Sequence, residues 1–212
     1  MGDRDGSDLR RRGRPPATDS ADTRTNIIDS ARRLFAARGY SAVTNKDLAA
    51  AAGITPAALY HYMESKLELY AEVNGDLQAR IYERFRQAVD SSDTFVGKLE
   101  AVLDAAQQMN SEDPSFARFV GVVWSDLRRN DEVRRRIGAA AMDRERFFVR
   151  LVDVGIETGE IRPDQRPVVA ELVRMLLIGL TEASADSPEQ LARAVDGVKG
   201  LLHGTLLRPA RR

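Results

Sequence analysis

Residues 44–66, TNKDLAAAAGITPAALYHYMESK, concentrate the side chains of this chain that suit contact with phosphate groups. Lys46 and Lys66 are two of only four lysines in the chain, and each supplies a positive charge. Thr44 and Thr55 stand where helices would begin, so their hydroxyls and the N–H groups that follow suit phosphate oxygens. The segment therefore predicts a surface that binds phosphates.

The second helical part of this segment carries larger groups. Leu59 and Met63 are four residues apart and would face inward, which turns Ala57, Tyr60 and His61 outward. Polar side chains can hydrogen-bond base edges, and a small alanine allows close approach to a thymine methyl. We expect these three residues to contact bases in the major groove. For Tyr60 and His61 the alternative is surface decoration or packing against the next helix.

The elements that position these groups follow from local signals. Thr44 predicts a helix N-cap with Asp47 in the first turn, and Gly53 predicts the turn that ends this helix. Thr55 caps a second helix with Pro56 at its first position, where the missing N–H costs nothing. Two short helices joined by a tight glycine turn indicate a helix-turn-helix.

These residues resemble the DNA-binding domain of the TetR family of bacterial repressors. The matching stretches are ARRLFAARGY (31–40), TNKDLAAAAGIT (44–55) and LYHYMESK (59–66). Met63 stands where the family usually has an aromatic residue, and Asn45-Lys46 stands where an arginine is common. The resemblance implies a homodimer that binds a double-stranded palindromic operator near its own gene. It also implies release by a hydrophobic small molecule, commonly a drug-like efflux substrate or an acyl compound.

A basic arm precedes this motif. Residues 1–21 are rich in Gly, Asp, Arg and Pro, so we expect them to be disordered on their own. Arg12 and Arg14 belong to an R-G-R-P sequence that resembles an AT-hook core and would suit the narrow minor groove of A·T-rich DNA. A solvated charged tail is the alternative.

Composition excludes several functions. The chain has no Cys and two His, which excludes disulfides and disfavours a His-based metal site. No catalytic triad, P-loop or glycine-rich phosphate motif is present, so we expect no enzyme activity, no cofactor and no metal. No apolar run reaches 18 residues and the first residues are polar, which predicts a cytoplasmic protein without a membrane segment.

The periodicity predicts an all-α protein of about nine helices. A three-helix helix-turn-helix domain is expected at 22–82, with a first helix over 22–38 ended by Gly39. A larger helical domain for ligand binding and dimerisation is expected at 83–212. Within it, one long helix is predicted from Asp131 to Gly159, followed by helices over 165–185 and 187–206.

Aromatic and methionine side chains gather in the second domain. They suit either an ordinary core or a pocket for a large hydrophobic ligand, because these side chains adapt to varied shapes. The residues predicted to line such a pocket are Phe116, Phe119, Trp124, Phe148 and Met175.

The last two helices carry more apolar surface than one chain is expected to bury. One face would pack on the chain's own core and the other on a second copy, as a four-helix interface. The residues predicted at this interface are Leu172, Leu176, Leu180, Leu191, Val195, Val198 and Leu202. A hairpin buried within a monomer is the alternative.

A ligand-responsive, homodimeric repressor is the function that these features favour together. Two other functions stay open at this point. One is a constitutive architectural DNA-binding protein whose body only dimerises. The other is a helical carrier or hydrolase of acyl compounds whose DNA-binding motif has decayed, against which the intact caps, Tyr60 and Lys66 argue.

Overall fold

A computed structural model describes residues 17–138 and 141–207, and all their regular structure is helical. The all-α prediction is confirmed, with ten α-helices in place of about nine. They are α1 (Ala17–Ala42), α2 (Asn45–Ala51), α3 (Pro56–Leu59), α4 (Lys66–Val89), α5 (Phe95–Glu112), α6 (Ser115–Arg129), α7 (Asp131–Ile137), α8 (Ala141–Glu157), α9 (Arg166–Asp186) and α10 (Pro188–Leu202), with a short 3₁₀ helix at Pro163–Gln165.

The first helix begins earlier than predicted, at Ala17, and changes direction at Gly39. Gly39 has a φ of 77° and a ψ of 164°, so regular helical geometry stops there, as the sequence indicated. The chain then makes a last turn through Tyr40, which is buried. This turn brings the end of α1 beside the start of α4.

The helix-turn-helix and the body share one hydrophobic core. Phe35 of α1 contacts Tyr70 of α4 edge to face, with 4.9 Å between ring centroids, and Tyr70 contacts Phe119 of α6 at 5.4 Å. Val133 and Ile137 of α7 are buried in the same core. Residues from both sides of the predicted domain boundary at residue 82 therefore pack together.

A second core holds α5, α8, α9 and α10 together. Its buried members include Leu99, Leu151, Val173 and Leu191. The turn between α8 and α9 fixes one end of this core, because Glu160 accepts hydrogen bonds from the backbone N–H groups of Phe95 (2.6 Å) and Val96 (3.1 Å). A glutamate therefore caps the start of α5 from across the fold.

The single long helix predicted from Asp131 to Gly159 is wrong. The structure has α7 ending at Ile137 and α8 beginning at Ala141. Val133 and Ile137 pack in the core shared with the helix-turn-helix, whereas Leu151 and Val152 pack in the body core. The two segments therefore form separate helices that pack in different cores.

Gly155 of α8 marks a close approach between α8, α5 and the turn before α9. A Cβ at this position would lie 2.4 Å from Ile161 Cδ1 and 2.9 Å from Phe95 Cβ. We predict that Gly155→Ala lowers the free energy of unfolding by about 1–3 kcal/mol, the usual cost of overpacking. Chemical denaturation monitored by circular dichroism measures this change.

Gly75 of α4 provides the matched control, because nothing lies within 4 Å of a Cβ built there. Gly75→Ala should raise the free energy of unfolding by roughly 0.5–1 kcal/mol, since alanine favours a helix over glycine. If both variants were equally stable, the close packing of α8 against α5 would be contradicted.

Candidate DNA interface and ligand cavity

The start of α2 is fixed by reciprocal hydrogen bonds between Thr44 and Asp47. The Asp47 N–H donates to Thr44 Oγ1 at 3.2 Å, while the Thr44 N–H and hydroxyl both donate to Asp47 Oδ2, at 2.9 and 2.5 Å. The Thr44 bonds lower the pKa of Asp47, so its carboxylate stays charged at neutral pH. Thr44 thus acts as a cap, and its hydroxyl, predicted to reach a phosphate, donates to Asp47 in this structure.

The turn and the second helix follow the sequence prediction closely. Gly53 has a φ of 70°, the left-handed conformation that glycine adopts without strain. Thr55 Oγ1 accepts from the Ala58 N–H at 3.1 Å, and Pro56 occupies the first turn of α3. Leu59 is fully buried, as its spacing predicted.

An exposed face remains on α2 and α3 after this packing. Lys46, Thr55, Ala57 and His61 are exposed, and Tyr60 exposes 57% of its surface. Asn45 of α2 donates to Tyr60 Oη at 2.9 Å, which holds the phenol between the two helices. Sequence reasoning missed this contact, because Asn45 and Tyr60 meet only once α2 and α3 have packed. The structure leaves these candidate contacts exposed and joins α2 to the end of α3 through the hydrogen bond between Asn45 and Tyr60.

Lys66 has a different environment from the one predicted. It is half-buried, and its Nζ donates to the backbone oxygens of Tyr40 (3.0 Å) and Val43 (2.9 Å) and lies 4.3 Å from the Tyr40 ring centroid. Burial lowers its pKa, against the opposing influence of Glu132 and Asp126. In this structure the Lys66 ammonium holds the turn that ends α1, so we expect it to contribute to the stability of this turn rather than to phosphate binding. Arg12 and Arg14 lie outside the described residues.

The body contains a cavity of about 470 Å³ between α4, α5, α6, α8 and α9. Three of the predicted residues, Phe116, Trp124 and Phe148, line it. Tyr82, Phe85, Phe147 and Phe148 form an aromatic cluster beside it, with Phe147 and Phe148 edge to face at 5.1 Å. Such a wall suits an apolar ligand.

Two predicted lining residues lie elsewhere. Phe119 is fully buried in the core shared with α1, whereas Phe116, one turn earlier on α6, packs against that core and also lines the cavity. Met175 exposes 59% of its surface on the outer side of α9. Sequence reasoning could not choose between the two apolar faces of either helix.

The predicted dimer residues divide into three sets: buried, half-buried and, for Leu172, exposed. Leu180, Leu191 and Val195 are buried within their own chain, so the prediction that they contact a partner is wrong. Leu176, Val198 and Leu202 are half-buried, and the last two pack on the body core.

On α9, Val168, Leu172 and Met175 expose 69%, 53% and 59% of their surfaces at a spacing of four and three residues. They form one exposed apolar stripe.

The cavity and the helix-turn-helix meet at Arg32 of α1. This side chain is 2% exposed, and its guanidinium carbon lies 4.3 Å from the ring centroid of Phe116, a cavity residue. It donates to Ser115 and, at 3.0 Å, to Asp113 Oδ2. Burial alone would raise the pKa of Asp113, but hydrogen bonds from Ser115 and Arg32 outweigh it and lower that pKa.

A second junction forms at Asp126 of α6. Its Oδ2 accepts from Tyr70 Oη at 2.8 Å and from the Tyr40 N–H at 3.2 Å. Burial, and then the nearby carboxylate, raise the pKa of Tyr70, so the phenol remains a donor at any physiological pH. The two ends of α6 therefore hold α1 through Arg32 and Tyr40.

Among the described residues, no three His, Asp or Glu side chains are placed to hold a metal ion. Within the same ranges, no helix combines the length and apolarity needed to cross a bilayer.

Comparison with known proteins agrees with this arrangement. Residues 27–73 match the family model "Bacterial regulatory proteins, tetR family". The repressor KstR2 of Rhodococcus jostii is 34% identical over 153 residues, which cover 71% of this chain and 74% of that protein. The chain belongs to the TetR family, and it is a DNA-binding transcriptional regulator.

Other relatives share the whole architecture. The regulator UidR of Escherichia coli is 23% identical over 89% of this chain and 95% of its own length. FadR of Bacillus subtilis, solved with stearoyl-CoA, superposes with a TM-score of 0.70 at 19% identity, covering 85% of this chain and 98% of that one. At that identity the structural likeness shows the fold alone.

Lys46 and Lys66 allow a direct test of the interface. We predict that Lys46→Ala weakens binding to every DNA sequence and lowers the slope of log affinity against log salt by roughly 1, as expected for one lost phosphate contact. Lys66→Ala should leave that slope unchanged and instead lower the melting temperature, because it removes two hydrogen bonds at the end of α1. Fluorescence anisotropy over a salt series measures both slopes. Equal slope changes for the two variants would contradict the position given to Lys66.

Proposed function

We propose that this protein is a ligand-responsive repressor that binds a palindromic operator as a homodimer and leaves it when a hydrophobic molecule occupies the cavity. The observation that carries this proposal is the position of Phe116. One side of its ring lines the cavity, and the guanidinium of Arg32, on the first helix of the DNA-binding unit, lies over it. Such a regulator would act in the cytoplasm, where its operator is.

The effect of a bound ligand would also reach the helix-turn-helix along α4. This helix has 24 residues, so at ~1.5 Å per residue it is about 36 Å long. Its first turn lies beside the helix-turn-helix, and Gln78, Tyr82 and Phe85 further along line the cavity. Two DNA-binding units must stand about 34–36 Å apart to enter successive major grooves. A ligand that prefers another spacing weakens operator binding by its differential affinity for the two states.

The effector class is inferred from the cavity and from relatives. A volume of about 470 Å³ falls within the range of small-molecule sites. Other proteins with this fold were solved with stearoyl-CoA or with isovaleryl-CoA, and KstR2 of Mycobacterium tuberculosis is described as a ketosteroid regulator. Acyl compounds and fused-ring compounds are therefore the first candidates here, with drug-like efflux substrates as a further class.

The exposed stripe on α9 supports the homodimer. Val168, Leu172 and Met175 would lie against the same residues of a second copy, which is the self-complementary contact of a two-fold interface. Leu201 of α10 is also exposed, at 54%, and would extend the patch. A two-fold dimer presents two helix-turn-helix units to the two halves of a palindrome.

Leu172→Arg tests the dimer and the operator together. An unpaired arginine at an apolar interface should give a folded monomer in analytical ultracentrifugation. Its affinity for a palindrome selected from random DNA by the wild type should fall by roughly 100-fold or more, because the two units no longer bind as one. Ser111→Arg, an equal charge change at an exposed position of α5, should alter neither property.

Two results would contradict the proposal. One is a wild-type protein that is monomeric at micromolar concentration. The other is random DNA selection that yields no symmetric site, which would favour the architectural alternative.

A further inference from the structure

Asn110 differs from the other residues around the cavity. It lies on α5, exposes 3% of its surface and belongs to the cavity wall with Met109 and Ala106. Neither Oδ1 nor Nδ2 of its side chain has a hydrogen-bond partner among the described residues.

Three other polar side chains of the wall, those of Thr181, Glu171 and Arg174, have partners in the protein. The Thr181 hydroxyl donates to the Leu177 carbonyl oxygen at 2.8 Å. Glu171 and Arg174 form an ion pair with each other, with Arg174 Nε 2.8 Å from Glu171 Oε2, so their charges cancel. Buried side-chain amides in proteins are almost always hydrogen-bonded. Asn110 is therefore placed to bond a molecule that enters the cavity.

We propose that Asn110 recognises a hydrogen-bonding oxygen on the effector, and that the effector is a neutral, largely apolar carbonyl compound such as a cyclic ketone or an acyl group. The Asn110 Nδ2 donates to the carbonyl oxygen, while the aromatic wall covers the hydrocarbon. This inference rests on the proposed function, because it assigns the ligand of the same cavity. It excludes a pure hydrocarbon as a good ligand, since an apolar molecule would leave the amide unpaired.

Matched ligand pairs test the assignment. One pair is 5α-androstan-3-one and 5α-androstane, and the other is 2-dodecanone and dodecane; each pair differs only by the ketone oxygen. Trp124 lies in the cavity wall and is the only tryptophan, so its fluorescence reports binding. The wild type should bind at least one ketone on the order of 10-fold more tightly than its hydrocarbon.

Asn110→Leu keeps the side-chain size and removes the amide. The ketone and its hydrocarbon should then bind with nearly equal affinity. Gln108→Leu, the same amide-to-leucine type of change at an exposed position of α5 outside the cavity wall, should keep the ketone preference of the wild type. An equal ketone preference in the wild type and Asn110→Leu, or no binding of either ketone to the wild type, would overturn the proposal.

Stability without any ligand provides a second measurement. The melting temperature of Asn110→Leu should equal or exceed that of the wild type, because no hydrogen bond within the protein is lost. A fall of several degrees would show that the amide has a structural role and would overturn the assignment.

If the ketones release operator equally from both proteins, Asn110 is not the recognition residue but the proposed function stands. If ketones bind through Asn110 without releasing operator, the proposed function fails instead.

Discussion

The packing of α1 against α6 is the contact on which the rest of the structure depends. Helix α6 is apolar on two sides: Phe119 packs with Phe35 and Tyr70 in the core of the DNA-binding unit, while Phe116 and Trp124 line the ligand cavity. The same helix therefore supports the helix-turn-helix and forms part of the wall of the cavity that we propose as the effector site. We therefore expect a ligand that displaces a wall residue of α6 to change the surface on which α1 packs.

Polar contacts fix the register of this packing. A buried ion pair adds little net stability, but separating its two charges is costly. Any shift of α1 along α6 that separated Arg32 from Asp113 would therefore be unfavourable. Asp126 does the same at the other end through Tyr70 and the Tyr40 N–H. Apolar side chains alone would allow α1 to shift along α6, whereas these hydrogen bonds can form in only one relative position of the two helices.

The sequence predicted the parts of this structure that are set locally. The caps at Thr44 and Thr55 and the turn at Gly53 depend on residues within four positions, so composition and spacing were sufficient. The break between α7 and α8 and the role of Lys66 depend on contacts between distant segments. The prediction of cavity residues on α6 and α9 was incomplete for the same reason. Each of these helices carries apolar residues on more than one face, and only tertiary packing decides that Phe119 is buried in the core and Met175 is exposed.

Thermodynamic linkage provides the most direct test that the cavity controls the operator-binding surface. The affinity of a cavity ligand would be measured by Trp124 fluorescence with and without saturating operator, and the affinity for operator with and without saturating ligand. The account predicts that both affinities fall by the same factor, because the coupling free energy is reciprocal. A ligand that fills the cavity while its affinity is unchanged by saturating operator would contradict the account.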